Sequence, residues 1–210
     1  RWLVPIGDLD PVVAAPLTDA GLTPYHAIKR SLRALVPGST AVVIGAGGLG
    51  HMAVQILREL TPASIVVVDE RRSALDAAVA LGAHAAATPD EAQSAVTDTS
   101  AGRGADVVVD LVGADATLAI AAAVTRSMGH ITIVGLAGGT LPVTFFSPAY
   151  EVSVASTYWG TLPELTEVIA LARSGRITAN VHRVTLDEAV DAYDSLRAGR
   201  VDGRVVVVPA

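Results

Sequence analysis

Cysteine is absent from the 210 residues. That excludes a disulfide-stapled fold and any thiolate metal site built from this chain alone. Charged residues make up only 17% and aromatic residues only 4%, against 51% hydrophobic, a balance that excludes intrinsic disorder. Basic residues are outnumbered: 15 Lys and Arg against 21 Asp and Glu leave a formal net charge of −6. There is thus no cationic field to hold nucleic acid or an anionic membrane face. Long apolar runs are missing too. The longest, such as Leu118–Val124, fall well short of the ~20 residues of a membrane span, and no secretory signal pattern opens the sequence. A cytoplasmic location is therefore expected. The chain opens on Arg1 rather than Met, which suggests a start inside a longer protein. At ~150 residues per domain the length corresponds to about 1.4 domains, or one domain with an appendage.

What is present is alternation. Short apolar, β-branched runs lie at Thr40–Ile44, Ser64–Val68, Ala105–Val109 and His130–Val134. Each is apolar on successive residues, the pattern of strands buried on both faces of a parallel sheet. Between them lie Ala-rich stretches of helical spacing, at Leu49–Leu60, Ser73–Leu81, Glu91–Thr97 and Ala116–Arg126. Gly82 and Gly129 stand where helices end on glycine. A short strand at Ala85–Ala87 completes the first half. Strand and helix in alternation predict right-handed βαβ units and a doubly wound α/β sheet. The ends read differently. Residues 1–20 hold Pro5, Gly7, Pro11 and Pro16 with little periodicity, and Pro24–Leu35 has helical spacing. After Gly160 come a helix at Leu162–Arg173, a strand at Val181–Val184, a helix at Asp187–Arg197 capped by Asp187, and a last strand at Arg204–Val208.

Gly45-Ala46-Gly47-Gly48-Leu49-Gly50 satisfies G-x-G-x-x-G between a strand and a helix. In that context Gly45 permits the tight turn, Gly47 lets backbone approach a pyrophosphate, and Gly50 lets the helix pack on the strand. The helix N-terminus adds N–H groups and the positive end of its dipole. Asp69 ends the second strand, 19 residues beyond Gly50, near the ~20 expected of an acid that accepts from ribose hydroxyls and repels a 2′-phosphate. Together these features predict a dinucleotide site with NAD as the cofactor. Arg71 and Arg72 are the opposing feature, since an arginine there can grip a 2′-phosphate. The loops after the third and fourth strands, Asp110-Leu111-Val112-Gly113 and Gly135-Leu136-Ala137-Gly138-Gly139, are expected to line the same crevice. The five histidines show no metal spacing; His51, which follows the last loop glycine, reads either as an ordinary early-helix residue or as one placed to approach the phosphates.

The sequence resembles the medium-chain, zinc-dependent alcohol dehydrogenase family. The residues that carry the resemblance are Leu17-Thr18-Asp19-Ala20-Gly21-Leu22-Thr23, the glycine loop, Val67-Val68-Asp69, Leu81-Gly82-Ala83, Val134-Gly135, Tyr158-Trp159-Gly160 and Gly203-Arg204-Val205-Val206-Val207. They span nearly the whole chain, and the bacterial NAD-dependent secondary alcohol dehydrogenases are the nearest branch. The resemblance implies a Rossmann fold over 21–162, flanked by remnants of a second, GroES-like catalytic domain at 1–20 and 163–210. It also implies that the other metal ligands lie upstream of this sequence.

Residue by residue, the resemblance makes Asp19 a zinc ligand, although alone it reads as a helix cap. It places Thr23 beside the nicotinamide, and Asp19 and Thr23 are the catalytic candidates. Gly45, Gly47, Gly48, Leu49 and Gly50 would hold the pyrophosphate, and Asp69 the ribose. Leu111, Val112, Val134, Gly135, Leu136, Thr157 and Trp159 would line the nucleoside and carboxamide contacts, and Arg204 would reach the pyrophosphate. The family's ribose lysine has no counterpart, because Ala74 stands there. The implied activity is zinc-assisted hydride transfer between a small alcohol, probed first as a secondary alcohol, and a ketone or aldehyde. This chain alone is expected to bind NAD without turnover. A homodimer or tetramer through the sheet edge near Leu141–Thr157 is also implied; that segment is rich in aromatics. The competing readings are a zinc-free quinone or enoyl reductase of the same superfamily, a methyltransferase with a similar glycine loop, and a non-catalytic NAD-sensing module.

Overall fold

The computed structural model describes residues 3–209. Arg1, Trp2 and Ala210, at the outer ends of the two expected flanking segments, lie outside the described residues. The chain opens with a one-turn helix α1 (Pro11–Ala14), a 3-10 turn (Ala15–Thr18) and helix α2 (Leu22–Ser31). Then strand and helix alternate: β1 (Thr40–Ile44), α3 (Gly50–Leu60), β2 (Ser64–Val68), α4 (Arg72–Ala80), β3 (Ala85–Ala87), α5 (Ala92–Thr99), β4 (Ala105–Asp110), α6 (Asp115–Val124), β5 (Thr125–Ile133) and β6 (Ser153–Ser156). Helix α7 (Leu162–Arg173), strand β7 (Val181–Thr185), helix α8 (Ala189–Arg197) and strand β8 (Arg204–Val208) complete the chain.

The six strands β1–β6 form one parallel sheet in the order β3-β2-β1-β4-β5-β6. This is the doubly wound Rossmann order, with its topological switch point between β1 and β4. All five β1 residues are buried, and their side chains alternate between two cores. Ala41 and Val43 join the core beneath α2, α3, α4 and α7, and Val42 and Ile44 join the core beneath α5 and α6. Burial on both faces is why these strands are apolar without alternation. Each fully buried Val or Ile contributes on the order of 2 kcal/mol.

The two ends of the chain meet each other. Strands β7 and β8 form a separate parallel pair. Helix α1 touches β7, and the turn at 15–18 touches β8. Ion pairs Asp10–Arg183 and Asp19–Arg204 tie the same segments together. Helix α7 lies on α2 through Tyr25–Glu167 (2.7 Å) and His26–Glu164 (3.0 Å). Among the described residues no helix is long and apolar enough to cross a membrane.

The structure departs from the sequence reading in four places. Helix α6 stops at Val124 and β5 begins at Thr125, so Gly129 lies inside a strand instead of closing a helix. Strand β6 had no counterpart in the reading; it is a short, largely exposed edge strand, and an edge strand shows no continuous apolar run. The cap expected of Asp187 is not made. Glu188 precedes α8, and its carboxylate accepts from the Thr185 N–H (2.8 Å) and hydroxyl (2.9 Å). The first twenty residues, read as having little periodicity, contain α1, which is capped by Asp10 through the Val12 N–H at 2.9 Å.

Candidate functional site

The glycine loop leaves β1 at the switch point. Gly45 takes φ +92°, a conformation that suits glycine alone, and its N–H donates to Val68 O at 2.8 Å. Gly50 packs so tightly that an added Cβ would lie 2.0 Å from Gly45 O. Gly47 is the open position: a Cβ there would meet only Arg71 Nη2, at 3.7 Å. Against Gly48 lies the stem of Arg204, which would be 3.0 Å from an added Cβ. Helix α3 starts at once, preceded by Leu49, and no side chain caps it. The loop thus offers an uncapped helix end with one uncrowded approach, the geometry that accepts a phosphate.

Asp69, at the end of β2, shapes this loop. One carboxylate oxygen accepts from the Ala46 N–H at 2.7 Å, and the other from the Arg71 N–H at 2.9 Å. Arg71 also pairs with Asp202 at 2.8 Å, and Arg72 pairs with Asp76 along α4. Both arginines therefore have carboxylate partners. A cavity of about 560 Å³ runs between α4 and the C-terminal segment, lined by Ala46, His51, Ser73, Ala74, Asn180 and Asp202 among others.

The neighbouring loops close on the same place. Asp110, fully buried at the end of β4, accepts from the Val112 N–H (2.8 Å), the Gly113 N–H (3.0 Å) and the Thr117 hydroxyl (2.8 Å). It thereby folds the turn that carries Leu111 and Val112. A Cβ on Gly45 would lie 2.8 Å from Val112 Cγ2. Val134 and Gly135 donate to Asp110 O at 2.8 and 3.0 Å, and Thr157 donates to Ile133 O at 3.0 Å. Leu136 and Trp159 are exposed, and Trp159 stacks on Tyr158 with ring centroids 5.0 Å apart. The site residues from β1, β2, β4 and β5 thus gather along one edge.

Asp19 and Arg204, assigned by resemblance to a metal and to a phosphate, form an ion pair with each other. The Thr23 hydroxyl donates to Asp19 at 3.3 Å, and Thr23 itself is buried. No group of three or more potential metal ligands occurs among the described residues. The residues present therefore do not fit a zinc ion by themselves.

Three roles were not legible in the sequence: Asp110 as the organiser of its loop, Asp202 as the partner of Arg71, and His51 as the partner of Asn180. His51 is buried at the start of α3. Its Nδ1 lies 3.1 Å from Gly47 O, and its Nε2 lies 3.2 Å from the Asn180 N–H that donates to it. Burial, opposed by the hydrogen bond to Gly47 O and aided by the nearby Arg204, holds its pKa below the ordinary value of 6.5. Gln55, one turn later, donates to Thr178 O and accepts from Thr178 N at 3.0 and 2.9 Å. None of these links follows a sequence period. The only available signal was polar residues on a helix that is otherwise apolar.

The family described as zinc-binding dehydrogenase matches residues 48–174. The chain belongs to this family. It is 35% identical over its whole length to a D-arabinose 1-dehydrogenase (NADP(+)) of Saccharolobus solfataricus and 36% identical to an NAD-dependent alcohol dehydrogenase of Sulfurisphaera tokodaii, covering 61% of each. It superposes with a TM-score of 0.89 on the crystal structure of an alcohol dehydrogenase from Aeropyrum pernix, at 36% identity, over 96% of this chain and 60% of that one. The zinc-binding dehydrogenase chain thus spans about three fifths of the length of these relatives.

Proposed function

We propose that this chain is the coenzyme-holding part of an alcohol dehydrogenase and binds NAD across the carboxyl ends of β1, β2, β4 and β5. The observation that carries this reading is the contrast within the glycine loop. Gly45 and Gly50 are closed by packing and Gly47 is open, which leaves one place where backbone can meet a diphosphate. Asp69, already oriented by the Ala46 N–H, presents its charge to the ribose. The engagement of Arg71 with Asp202 favours NAD over its 2′-phosphorylated form. Bound NAD would accept a hydride at nicotinamide C4 from a carbinol carbon. The residues of this chain would hold the diphosphate at α3, orient the nicotinamide between Thr23 and Val134, and exclude water with Leu136, Tyr158 and Trp159.

In a protein of the relatives' length, Asp19 would contribute one carboxylate to a zinc site completed by residues not in this sequence, with secondary alcohols as the first substrate class to try. No step is assigned to zinc on the residues present. The contacts between 3–20 and β7–β8 support assigning both ends to one catalytic unit and 21–162 to the coenzyme domain. The exposed Phe145, Phe146 and Tyr150 beside edge strand β6 support a homodimer or tetramer through that edge.

Calorimetric titration of the chain with NAD, NADP and S-adenosylmethionine tests the reading. Saturable binding of NAD, weaker binding of NADP and none of S-adenosylmethionine are expected, with no NAD reduction by added alcohols. Absence of NAD binding at millimolar concentration would refute it. A protein of the relatives' length that reduced NAD with no alcohol would refute the dehydrogenase assignment.

A further inference from the structure

His51 makes two hydrogen bonds whose partners settle its protonation. The Asn180 N–H can only donate, so Nε2 carries a lone pair, and the proton sits on Nδ1, facing Gly47 O. The connection continues beyond the ring. Asn180 O accepts the Arg204 N–H at 2.9 Å. Gly203 packs on Asn180 so closely that a Cβ there would lie 2.4 Å from Asn180 O. From Arg204 the side chain returns over Gly48. The result is a closed circuit of Gly47, His51, Asn180, Arg204 and Gly48, linking the phosphate loop to the first residue of β8.

We propose that His51 is a positioning residue: as the neutral Nδ1–H imidazole it registers Arg204 against the phosphate loop, and taking up a proton breaks that register and weakens diphosphate binding. The inference rests on the dinucleotide reading above. Protonated Nε2 would face the Asn180 N–H donor to donor, and a buried donor left without an acceptor is costly. The residue is 7% exposed. The other charged and titratable groups around it act differently. Arg204 on β8 is itself paired with Asp19. Asp202, just before β8, is held by Arg71 of the α4 approach. His182 on β7 meets Asp202 O at 2.8 Å. Gln55 holds the same segment without titrating. The lowered pKa of His51 places the transition below pH 6.5.

The test measures binding of ADP-ribose, which carries the diphosphate without the nicotinamide, by calorimetry between pH 8 and pH 5. Wild-type chain is compared with His51→Gln, whose amide oxygen can accept from Asn180 without titrating, and with Arg204→Gln. One linked proton changes affinity by at most about tenfold per pH unit, so the wild-type dissociation constant should be flat at the upper end of this range and rise as pH falls below 6.5, no more steeply than that. His51→Gln should be nearly flat, and Arg204→Gln weak and flat throughout. Thermal melting at each pH confirms that folded protein is being measured. Equal slopes for wild type and His51→Gln would overturn the proposal. So would a wild-type affinity that is constant or rises on acidification, the direction that added positive charge near a diphosphate gives on its own. Absence of saturable binding at pH 8 would overturn the dinucleotide reading and this inference together. Binding at pH 8 with no slope would overturn this inference alone.

Discussion

Alanine at Gly47 and at Gly50 should separate binding from folding within six residues. At Gly50 the new Cβ would sit 2.0 Å from Gly45 O and 2.8 Å from its carbonyl carbon. Both obstacles are backbone, so α3 and the loop must part by roughly 1 Å to restore contact distances. Overpacking costs about 1–3 kcal/mol, and with no flexible side chain to yield, the upper end applies. At about 2–4 °C per kcal/mol for a chain this size, Gly50→Ala should lower Tm by about 6–12 °C. At Gly47 the new Cβ meets only Arg71 Nη2, at 3.7 Å, so Tm should move by no more than about 2 °C. Binding should respond the other way. A phosphate oxygen accepting from this backbone sits about 3 Å from the nitrogen, in the space the Gly47→Ala methyl would fill. The loss of about 1.4 kcal/mol or more corresponds to at least a tenfold rise in the NAD dissociation constant. Thermal unfolding by circular dichroism and calorimetric NAD titration read the two effects. Wild-type NAD affinity in Gly47→Ala would refute the cradle. A wild-type Tm in Gly50→Ala would refute the packing argument.

Other expectations follow from the same geometry. Asp69→Asn removes the charge that faces the ribose and that pairs with Arg71, so NAD should bind about fivefold more weakly while NADP binding improves; unchanged NAD-to-NADP preference in parallel titrations would contradict the assigned role. Glu164 is pushed up by burial, but hydrogen bonds from His26 and Thr161 outweigh this and hold its pKa below 4.5. A carboxyl depressed in the folded state contributes stability above its unfolded value and loses it as pH falls through the folded one. Urea stability should therefore drop below about pH 4.5, and more shallowly for Glu164→Gln, which should also cost about 1 kcal/mol at pH 7 through the α7 capping box. Phe145→Ser combined with Phe146→Ser should yield monomers in sedimentation velocity if the β6 edge is the interface; an unchanged assembly state would exclude that edge.

Much of the sheet was legible because burial on both faces leaves a local record. Thr40–Ile44 and Ser64–Val68 are continuous apolar runs, and their bounds agree with β1 and β2. The glycine loop was legible because its glycines, the strand before it and the helix after it are neighbours in the chain. Strand β6 was not, since Ser153–Ser156 is defined by pairing with β5 rather than by its own composition. The end of α6 was misplaced because Thr125-Arg126-Ser127-Met128 carries no helix stop before Gly129, and only the register of β5 on β4 fixes where the strand takes over.

The sequence by itself determined the parallel α/β layout, the position of the glycine loop and the acid at Asp69, since each follows from residues near one another along the chain. Only the tertiary structure decided which polar groups work together. Asp19 meets Arg204 across 185 positions, His51 meets Asn180 across 129, and Arg71 meets Asp202 across 131. These contacts depend on direction and on distances of about 3 Å, set only after the apolar cores have brought the segments together. Hydrophobic burial is non-directional and leaves a periodic trace in the sequence; a hydrogen bond or ion pair between distant segments leaves none.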